Sequence, residues 1–425
     1  MSAHSDTPSL SRENTELRDD SLWQKLPAIG LVLTVGGLGG AVATGRDDLG
    51  HFWHAYLTAF MFALALGLGG LFFVIILHLT RAGWGVALRR LAEHLAFSVP
   101  FVALFGLAVV FFGAHDLFEW THPGVVEGDE ILSKKAGYLN ETGMRIRYFV
   151  YLAVWSVLVF TFWKWSRDQD RASDPSQLTH RMRAFSAPAL ALFALSLTFA
   201  AFDMLMALDP HWFSTIFGVY YFTGAALTVH AVLCLVAYSL LRGGHLSGVV
   251  TREHFHDLGK YMFGFTIFWT YIAFSQYFLI WYADIPEETF WFSYRGHGEW
   301  LYLSLALVVL RFLLPWFLLL RRPIKRMPGL LCWAAALIVF TEFLDIYWLV
   351  QPAHAHHAAA AAHAADNHHL AHWYETVIPF NEVDMLALVG FLGVVAMMFG
   401  ISMKGRPLVP INDPRLAESV HFQNF

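Results

Sequence analysis

Cysteine and charged residues are both scarce in this sequence. Among 425 residues there are two cysteines, Cys234 and Cys332, and each lies within an apolar run. The chain therefore has no CxxC or CxxCH motif, no set of thiolates for an iron–sulfur cluster and no disulfide framework. Charged residues make up 14% of the chain, against roughly 25% in an average soluble domain. The net charge of -5 is small and the cations are scattered over short segments, which argues against nucleic acid as a partner.

Hydrophobic residues, by contrast, make up 57% of the chain and are concentrated in long runs. Several runs exceed the roughly 18 residues that a helix needs to cross a bilayer. A span in hydrocarbon must satisfy its own backbone hydrogen bonds, and the alternating pattern of a barrel strand is absent, so each span is predicted to be a helix. The sequence predicts an all-α membrane protein of about ten transmembrane helices, near residues 25–44, 53–79, 93–113, 147–165, 185–208, 214–241, 260–282, 299–320, 328–350 and 381–403.

The positive charges predict how these helices are oriented. The N-terminal segment is polar and mixed in charge, without the basic start, short apolar core and small-residue cleavage site of a signal peptide, so we expect it to remain as a cytoplasmic tail. With that end inside, 21 of the 28 Lys and Arg residues fall in cytoplasmic segments and six fall on the opposite side. This asymmetry predicts that both termini are cytoplasmic.

A short match between the second and sixth spans suggests an internal repeat. Residues 56–58 read Tyr-Leu-Thr and residues 221–223 read Tyr-Phe-Thr. Spans two to five and six to nine would cross the membrane in the same order of directions, which is compatible with two parallel four-helix bundles. The predicted organisation is a cytoplasmic tail at 1–24, a first helix at 25–52, bundles at 53–213 and 214–350, a His/Ala-rich periplasmic loop at 351–380, and a tenth helix with a cytoplasmic tail at 381–425.

The segment 351–372 is of low complexity and rich in alanine and histidine. Its histidines are His354, His356, His357, His363, His368, His369 and His372. Neutral imidazoles can bind divalent metal ions, but His-Ala repeats do not fix a coordination geometry. We expect a flexible, solvated periplasmic insertion, with metal binding as the alternative interpretation.

Five ionisable residues lie within the predicted spans, where each costs about 2.5 to 3.5 kcal/mol to insert and so needs a partner, a water-filled cavity or a function. They are Asp203, His230, Arg311, Glu342 and Asp345. Glu342 and Asp345 are three residues apart and share a helix face. At about 1.5 Å rise per residue, Asp345 lies in the outer part of the membrane and Glu342 nearer the middle. Arg311 and His230 lie in the inner half. Such a series at different depths is a candidate proton path, and the alternative is that Arg311 only neutralises Glu342 and fixes helix packing.

Polar residues also collect near the predicted outer ends of spans three and five. They are His115, Asp116, Glu119, Asp203 and Asp209. A quinol surrenders two protons as it is oxidised, and a histidine and a carboxylate that face an apolar, lipid-accessible pocket would accept them. His115, Asp116 and Asp203 are therefore candidates for a quinol site, with ordinary helix capping as the alternative. Haem ligation is not expected, because two haems need four deep histidines and only His230 is deep.

Two stretches of the chain resemble a known family. They are ALDPHWFSTIFGVYYF at 207–222 and FHDLGKYMFGFTIFWTYIAFSQYFLIWYADIPEET at 255–289. Both resemble the ActF family of membrane subunits of alternative complex III, the bacterial quinol:cytochrome c (or high-potential protein) oxidoreductase that is unrelated to the cytochrome bc complex. The resemblance implies membership of the NrfD and polysulfide-reductase membrane-subunit superfamily, whose members fold as four-helix bundles without cofactors. Spans two to five and six to nine would be those bundles.

The same resemblance implies a subunit without a redox centre of its own in a complex that oxidises quinol, with menaquinol as the expected substrate. The implied partners are a paralogous NrfD-like membrane subunit, an iron–sulfur protein subunit and multihaem cytochrome c subunits, with a terminal oxidase as a further candidate. The sequence thus predicts a structural and proton-conducting subunit of the bacterial cytoplasmic (inner) membrane.

Two alternatives stay open. One is the membrane anchor of a molybdenum-type reductase, which runs quinol chemistry with a different acceptor. The other is a secondary transporter, whose substrate site would use the same buried charges. Transporters often contain helices broken near the midplane, and the glycine pairs at 36–37, 39–40 and 69–70 are compatible with such breaks as well as with close helix packing.

Overall fold

The computed structural model describes residues 10–424, so the first nine residues of the predicted tail and the last residue of the chain lie outside the described residues. All regular elements among residues 10–424 are helices. Ten of them are long and apolar enough to cross a membrane, which confirms the predicted all-α membrane fold of a multi-pass protein. Numbered α1 to α10, they are Leu22–Gly45, Leu49–Leu79, Val86–Leu117, Glu141–Gln169, Pro175–Leu208, Phe217–Arg242, Arg252–Ala283, Gly298–Leu320, Pro328–Ala364 and Glu382–Met403. Shorter helices at Arg12–Thr15, Val125–Gly128, Glu130–Lys135, Pro286–Ser293, Arg322–Lys325, His368–Thr376 and Leu416–Val420 flank or connect them.

Several membrane helices begin earlier than their apolar runs. α5 begins at Pro175 and not at 185, and α7 begins at Arg252 and not at 260. The true starts carry capping residues, because the side chain of Asp174 accepts a hydrogen bond from the backbone of Ser176, and Thr251 caps α7 in the same way. Hydropathy alone misses these polar first turns, which continue the backbone hydrogen bonding beyond the apolar run.

The ten helices form two four-helix bundles and one flanking pair. α2 to α5 contact one another in a closed ring, and α6 to α9 form a second ring of the same kind. α2 lies between the rings and contacts both α6 and α9, while α1 and α10 pack mainly on each other. This is the predicted arrangement of bundles with two helices outside them.

Glycine permits the unusually close contact between α1 and α10. A Cβ atom on Gly37 would lie 2.4 Å from the backbone nitrogen of Gly390, and one on Gly30 would lie 2.7 Å from the carbonyl oxygen of Gly393. Only a residue without a side chain fits at such a backbone-to-backbone contact. Because α1 is continuous from Leu26 to Gly45, its glycines serve packing and do not break the helix.

Both described ends of the chain lie at the same end of the helical body, which we call the terminal face. The backbone nitrogen of Leu408 donates to the carbonyl of Thr15 (2.6 Å), and the Asn412 amide donates to the carbonyl of Gln169 (3.1 Å). At the other end, which we call the opposite face, His211 Nε2 lies 2.8 Å from a carboxylate oxygen of Asp129. The connections α1–α2, α3–α4, α5–α6, α7–α8 and α9–α10 therefore share the opposite face.

The prediction of a flexible loop over 351–372 is wrong. α9 continues as a helix from Pro328 to Ala364, and a second helix, His368–Thr376, packs back against it. Alanine has the highest helix propensity of all residues, so an Ala-rich stretch extends a helix that is already nucleated within the membrane. The turn between the two helices uses Asp366 in a left-handed conformation (φ 58°). Among residues 10–424, no group of three or more His, Cys, Asp or Glu side chains is arranged to hold a metal ion.

Candidate functional site

A buried ionic cluster joins α8 to α9. The guanidinium of Arg311, which is 0% exposed, donates to Glu342 Oε2 at 2.5 Å and lies 3.5 Å from Asp345 Oδ2. The prediction that Glu342 and Asp345 share a helix face is confirmed, since both carboxylates meet one guanidinium. The guanidinium of Arg311, which was predicted to lie deeper than both carboxylates, reaches each of them through its long side chain.

Helices α6 and α7 complete this cluster with hydrogen-bond donors. Tyr220 OH donates to Asp345 Oδ1 (2.5 Å), and Trp269 Nε1 donates to Asp345 Oδ2 (3.1 Å). On the other side, Thr228 Oγ1 donates to Glu342 Oε2 (2.9 Å). A Cβ atom on Gly224 would lie 2.7 Å from Glu342 Oε1, so a glycine at that position gives the carboxylate room to approach α6. Each carboxylate is thus held by donors from two or more helices.

The backbone of α8 is distorted where it carries Arg311. Residues Val308–Leu313 form a π-helical turn, and Pro315 follows directly after it. Proline has no N–H and its ring clashes with the carbonyl four residues earlier, which here belongs to Arg311. The wider turn relieves this clash, and such turns occur frequently at functional sites.

A cavity of about 660 Å³ lies between α7 and α8, next to the cluster. Tyr220 and Trp269 line its inner end, so the two side chains that donate to Asp345 also face the cavity. Its walls are mostly apolar, and Phe274 (58% exposed) and Leu305 (52% exposed) belong to both the wall and the outer surface of the helical body. Because those residues lie within membrane helices, the cavity is open toward the lipid.

Arg295 lies at the outer end of the same cavity. This side chain is 1% exposed, and it donates to the carbonyls of Trp291 (2.8 Å), Leu349 (3.0 Å) and Trp348 (3.2 Å). Its guanidinium carbon is 3.4 Å from the ring centroid of Trp291. No carboxylate of the described chain lies within ion-pair distance of it. No sequence pattern indicates that this residue is buried, because an exposed cation in a connection between helices would look the same.

His230 is not part of the cluster. Its Nδ1 lies 2.6 Å from the carbonyl oxygen of Ala226, which makes Nδ1 the donor. The ring stacks with Tyr261 and Phe265 at centroid distances of 5.1 and 5.3 Å. Since Thr228 faces Glu342 and His230 is two residues further along α6, the imidazole points to a different side of the helix. The structure therefore supplies no hydrogen bond, among the described residues, that links His230 to Glu342.

Asp203 forms a separate site in the first bundle. Arg147 on α4 donates to both of its oxygens, each at 2.9 Å, and Tyr151 OH donates to it at 2.7 Å. Arg147 is one of the six cations that the sequence places on the side opposite the termini, and in the structure it lies in the second turn of α4. His115 is exposed and Asp116 is half-buried at the end of α3, and within residues 10–424 neither is bonded to Asp203. The three quinol-site candidates are thus not gathered into one site.

A polar cluster at the opposite face was not anticipated from the sequence. Asp384, in the first turn of α10, bonds His51 Nε2 (2.9 Å) on α2 and accepts from Gln351 (3.1 Å) on α9. His354 lies beside it, with its ring centroid 5.4 Å from that of His51. These contacts attach α10 to both bundles. Since the partners are about 30 and more than 300 residues away from Asp384 along the chain, no local pattern indicates them.

The cluster and the cavity together define what this region can do chemically. One guanidinium and two carboxylates carry one excess negative charge when all are ionised, so the cluster can accept a proton and become neutral. The cavity beside it can accept an apolar molecule from the lipid, with hydroxyl and indole groups at its inner end. No protein-family model matches the chain, and no curated protein matches it either.

Proposed function

We propose that this chain is a structural and proton-conducting membrane subunit of a quinol:cytochrome c, or high-potential acceptor, oxidoreductase. The observation that carries the proposal is the position of Asp345. Its carboxylate is hydrogen-bonded to Tyr220 and Trp269, and both of these side chains line a cavity that opens toward the lipid. A proton acceptor therefore lies one hydrogen bond away from a site that a lipid-soluble molecule can enter.

Quinol chemistry suits this arrangement. A quinol is an apolar ring with two hydroxyl groups, and it releases two protons and two electrons on oxidation. The aromatic walls would bind the ring, and Tyr220 would pass a proton from a hydroxyl group to Asp345. The electrons would go to iron–sulfur and haem groups on partner subunits of the complex. On this proposal the quinol contact of the chain is the α7–α8 cavity, and His115, Asp116 and Asp203 have structural roles.

The orientation of the chain is part of the proposal. The terminal face carries most of the Lys and Arg residues, so we place it in the bacterial cytoplasm by the positive-inside rule. Trp281 (60% exposed) and Tyr282 lie at the far end of α7, where interfacial aromatics would meet the headgroups of the outer leaflet. Asp345 and the cavity would then lie in the outer half of the membrane, so protons from quinol would leave toward the periplasm.

The proton path is tested by Asp345→Asn in the assembled complex. We expect normal yield, with quinol oxidation and the proton release that accompanies it both lowered by about tenfold or more in liposomes, since an amide cannot accept a proton from the quinol. Asp203→Asn is the matched control, because Asp203 also forms an ion pair with an arginine and accepts a hydrogen bond from a tyrosine, but it does not line the cavity. An Asp345→Asn complex that moves protons as the wild type does would rule out this path.

The cavity is tested by filling it. Val308 lines the cavity, whereas its neighbour Val309 does not, and both are about half exposed. Val308→Trp should raise the KM for quinol several-fold and Val309→Trp should leave it unchanged. Equal effects of the two substitutions would place the quinol elsewhere.

Co-purification separates this proposal from the two alternatives. If the chain belongs to an alternative complex III, a paralogous membrane subunit, an iron–sulfur protein and multihaem cytochrome c subunits should co-purify with it. A reductase anchor predicts a molybdenum subunit, and a transporter predicts a chain that purifies without redox subunits. Mass spectrometry of the complex isolated in mild detergent distinguishes all three.

A further inference from the structure

A second cavity, of about 640 Å³, lies at the terminal face. It is enclosed by the end of α4, by the segment that follows α10 and by the short N-terminal helix Arg12–Thr15. None of these elements takes part in the ionic cluster or in the α7–α8 cavity. The cavity is therefore separate from the proposed quinol and proton sites.

The lining of this cavity is strongly cationic. Two of its cations are compensated within the protein: Arg90 pairs with Asp170 (2.8 Å), and Arg12 lies 3.8 Å from Glu16. The cations that remain are Lys164, Arg167, Arg171 and Arg406, and none of them forms an ion pair within 4.0 Å in the described part of the chain. Asp168 is the one remaining carboxylate of the lining. An anion of the right size would find several donors and little repulsion.

Two of these cations contact the same aromatic ring. The guanidinium carbons of Arg167 and Arg406 lie 4.2 and 4.8 Å from the ring centroid of Trp163. Arg406 is fixed further by a hydrogen bond to the carbonyl of Ser402 (2.9 Å), and the Trp163 indole donates to the hydroxyl of the same serine (3.1 Å). Burial, together with the positive charges of Arg167 and Arg90, lowers the pKa of Arg406. Like charges held near one another in a partly buried position raise the free energy of the folded chain unless an anion compensates them.

An aromatic surface continues from this cavity along the membrane face of α3 and α4. The indole of Trp163 stacks on Phe97 at 5.0 Å, and Phe97 contacts Phe101 (5.3 Å) and Phe160 (5.9 Å). Phe97 is buried beneath this surface, whereas Phe101 is partly exposed and Phe160 is 40% exposed, toward the lipid side of α4. Trp163 is six residues from the end of α4, about 9 Å at the helical rise, which is the depth of the headgroup boundary. Free phosphate would use only the cations, whereas a phospholipid would use both surfaces.

We propose that this cavity binds the phosphodiester headgroup of an anionic phospholipid, with its acyl chains along Phe101 and Phe160. Arg167 and Arg406 would hold the phosphate between them, and Lys164 and Arg171 would add attraction at the rim. The lipid would fasten the tail after α10 to the end of α4, and this site is independent of quinol chemistry.

The experiment uses the full chain purified in detergent, with any partner subunits that accompany it. Native mass spectrometry counts the lipid molecules retained during titration with phosphatidylglycerol, or with phosphatidylcholine of the same acyl chains. A parallel thermal-unfolding series adds inorganic phosphate in place of lipid. We expect one tightly retained phosphatidylglycerol, clearly weaker retention of phosphatidylcholine, and no stabilisation by phosphate alone.

Variants then locate the site. Arg167→Gln/Arg406→Gln should weaken retention of phosphatidylglycerol by about tenfold or more. The control Arg181→Gln/Arg252→Gln removes the same charge from exposed positions on the terminal face and should retain the lipid as the wild type does. If the first variant fails to fold, Lys164→Gln/Arg171→Gln tests the site instead, because both residues are exposed and their substitution should not disturb folding. This variant should weaken retention of phosphatidylglycerol by about threefold. Equal retention in test and control variants would overturn the proposal, and so would equal retention of the two lipids or full stabilisation by phosphate.

Discussion

Arg147 on α4 donates two hydrogen bonds of 2.9 Å each to Asp203 on α5. Arg311 on α8 makes the corresponding link to Glu342 on α9. An arginine thus joins the third helix to the fourth in both bundles, which supports the internal repeat. The two links differ in depth: Arg147 is about 9 Å from the start of its helix and Arg311 about 20 Å, at the rise of an α-helix. Arg311 therefore lies nearer the middle of its helix than Arg147 does.

The cluster around Arg311 predicts that two substitutions will be non-additive. Glu342→Gln leaves Asp345 at 3.5 Å from the guanidinium, and Asp345→Asn leaves Glu342 at 2.5 Å, so each single variant still has one compensating carboxylate. The double variant leaves the buried Arg311 without a compensating carboxylate, which should lower the free energy of unfolding by about 3 to 5 kcal/mol. We expect modest losses of thermal stability in the single variants and a severe loss in the double variant.

Restoring neutrality is the control for that prediction. Arg311→Met in the background of Glu342→Gln/Asp345→Asn removes the uncompensated charge and should recover a large part of the lost stability. The measurement is the midpoint of thermal unfolding in detergent, together with the yield of monodisperse protein. Simple additivity of the two single effects would show that Arg311 does not depend on the pair.

Local patterns predicted the helices and some of their polar faces. Ten apolar runs identified ten membrane helices because hydropathy along a span depends only on the span itself. The shared face of Glu342 and Asp345 followed from a spacing of three residues. The contact of Arg311 with both carboxylates did not follow, since an arginine side chain can reach about one helical turn in either direction.

Features made by several helices could not be predicted in this way. The cavity needs α7 and α8 to diverge, and the burial of Arg295 needs the end of α9 to cover it, so both depend on tertiary packing. Alanine favours helix over loop, so the extension of α9 is predictable from composition, whereas low complexity alone favours a flexible loop. His51 and Asp384 are more than 300 residues apart, and one sequence contains no signal that pairs them.

The two cysteines provide a test of how α6 packs on α9. Their sulfur atoms are 3.8 Å apart. Mild oxidation with copper phenanthroline should therefore link Cys234 to Cys332 rapidly. With a protease site inserted in the connection after α7, the linked fragments should stay together on a non-reducing gel. Cys332→Ser is the control and should release the fragments, and a wild-type chain that also released them would contradict the contact.

The extension of α9 is tested by proline at an exposed helical position. Ala360→Pro removes a backbone donor and introduces a clash inside the helix, at a cost of about 3 kcal/mol, without changing any buried contact. We expect faster hydrogen exchange of the amides at 357–364. His368→Pro is the matched control, because His368 is the first residue of its helix, where proline is tolerated. A flexible loop would respond to neither substitution.

The contact of α1 with α10 can be tested with two substitutions at adjacent glycines, because only one of these glycines faces the other helix. A Cβ atom on Gly37 would lie 2.4 Å from the backbone of Gly390, whereas one on Gly36 would meet nothing within 4 Å. Gly37→Ala should force the helices apart and cost roughly 1 to 3 kcal/mol, as overpacking does. Gly36→Ala should be neutral or stabilise by up to about 1 kcal/mol, through helix propensity. The midpoint of thermal unfolding in detergent measures both effects, and equal midpoints for the two variants would show that α1 and α10 do not touch at Gly37.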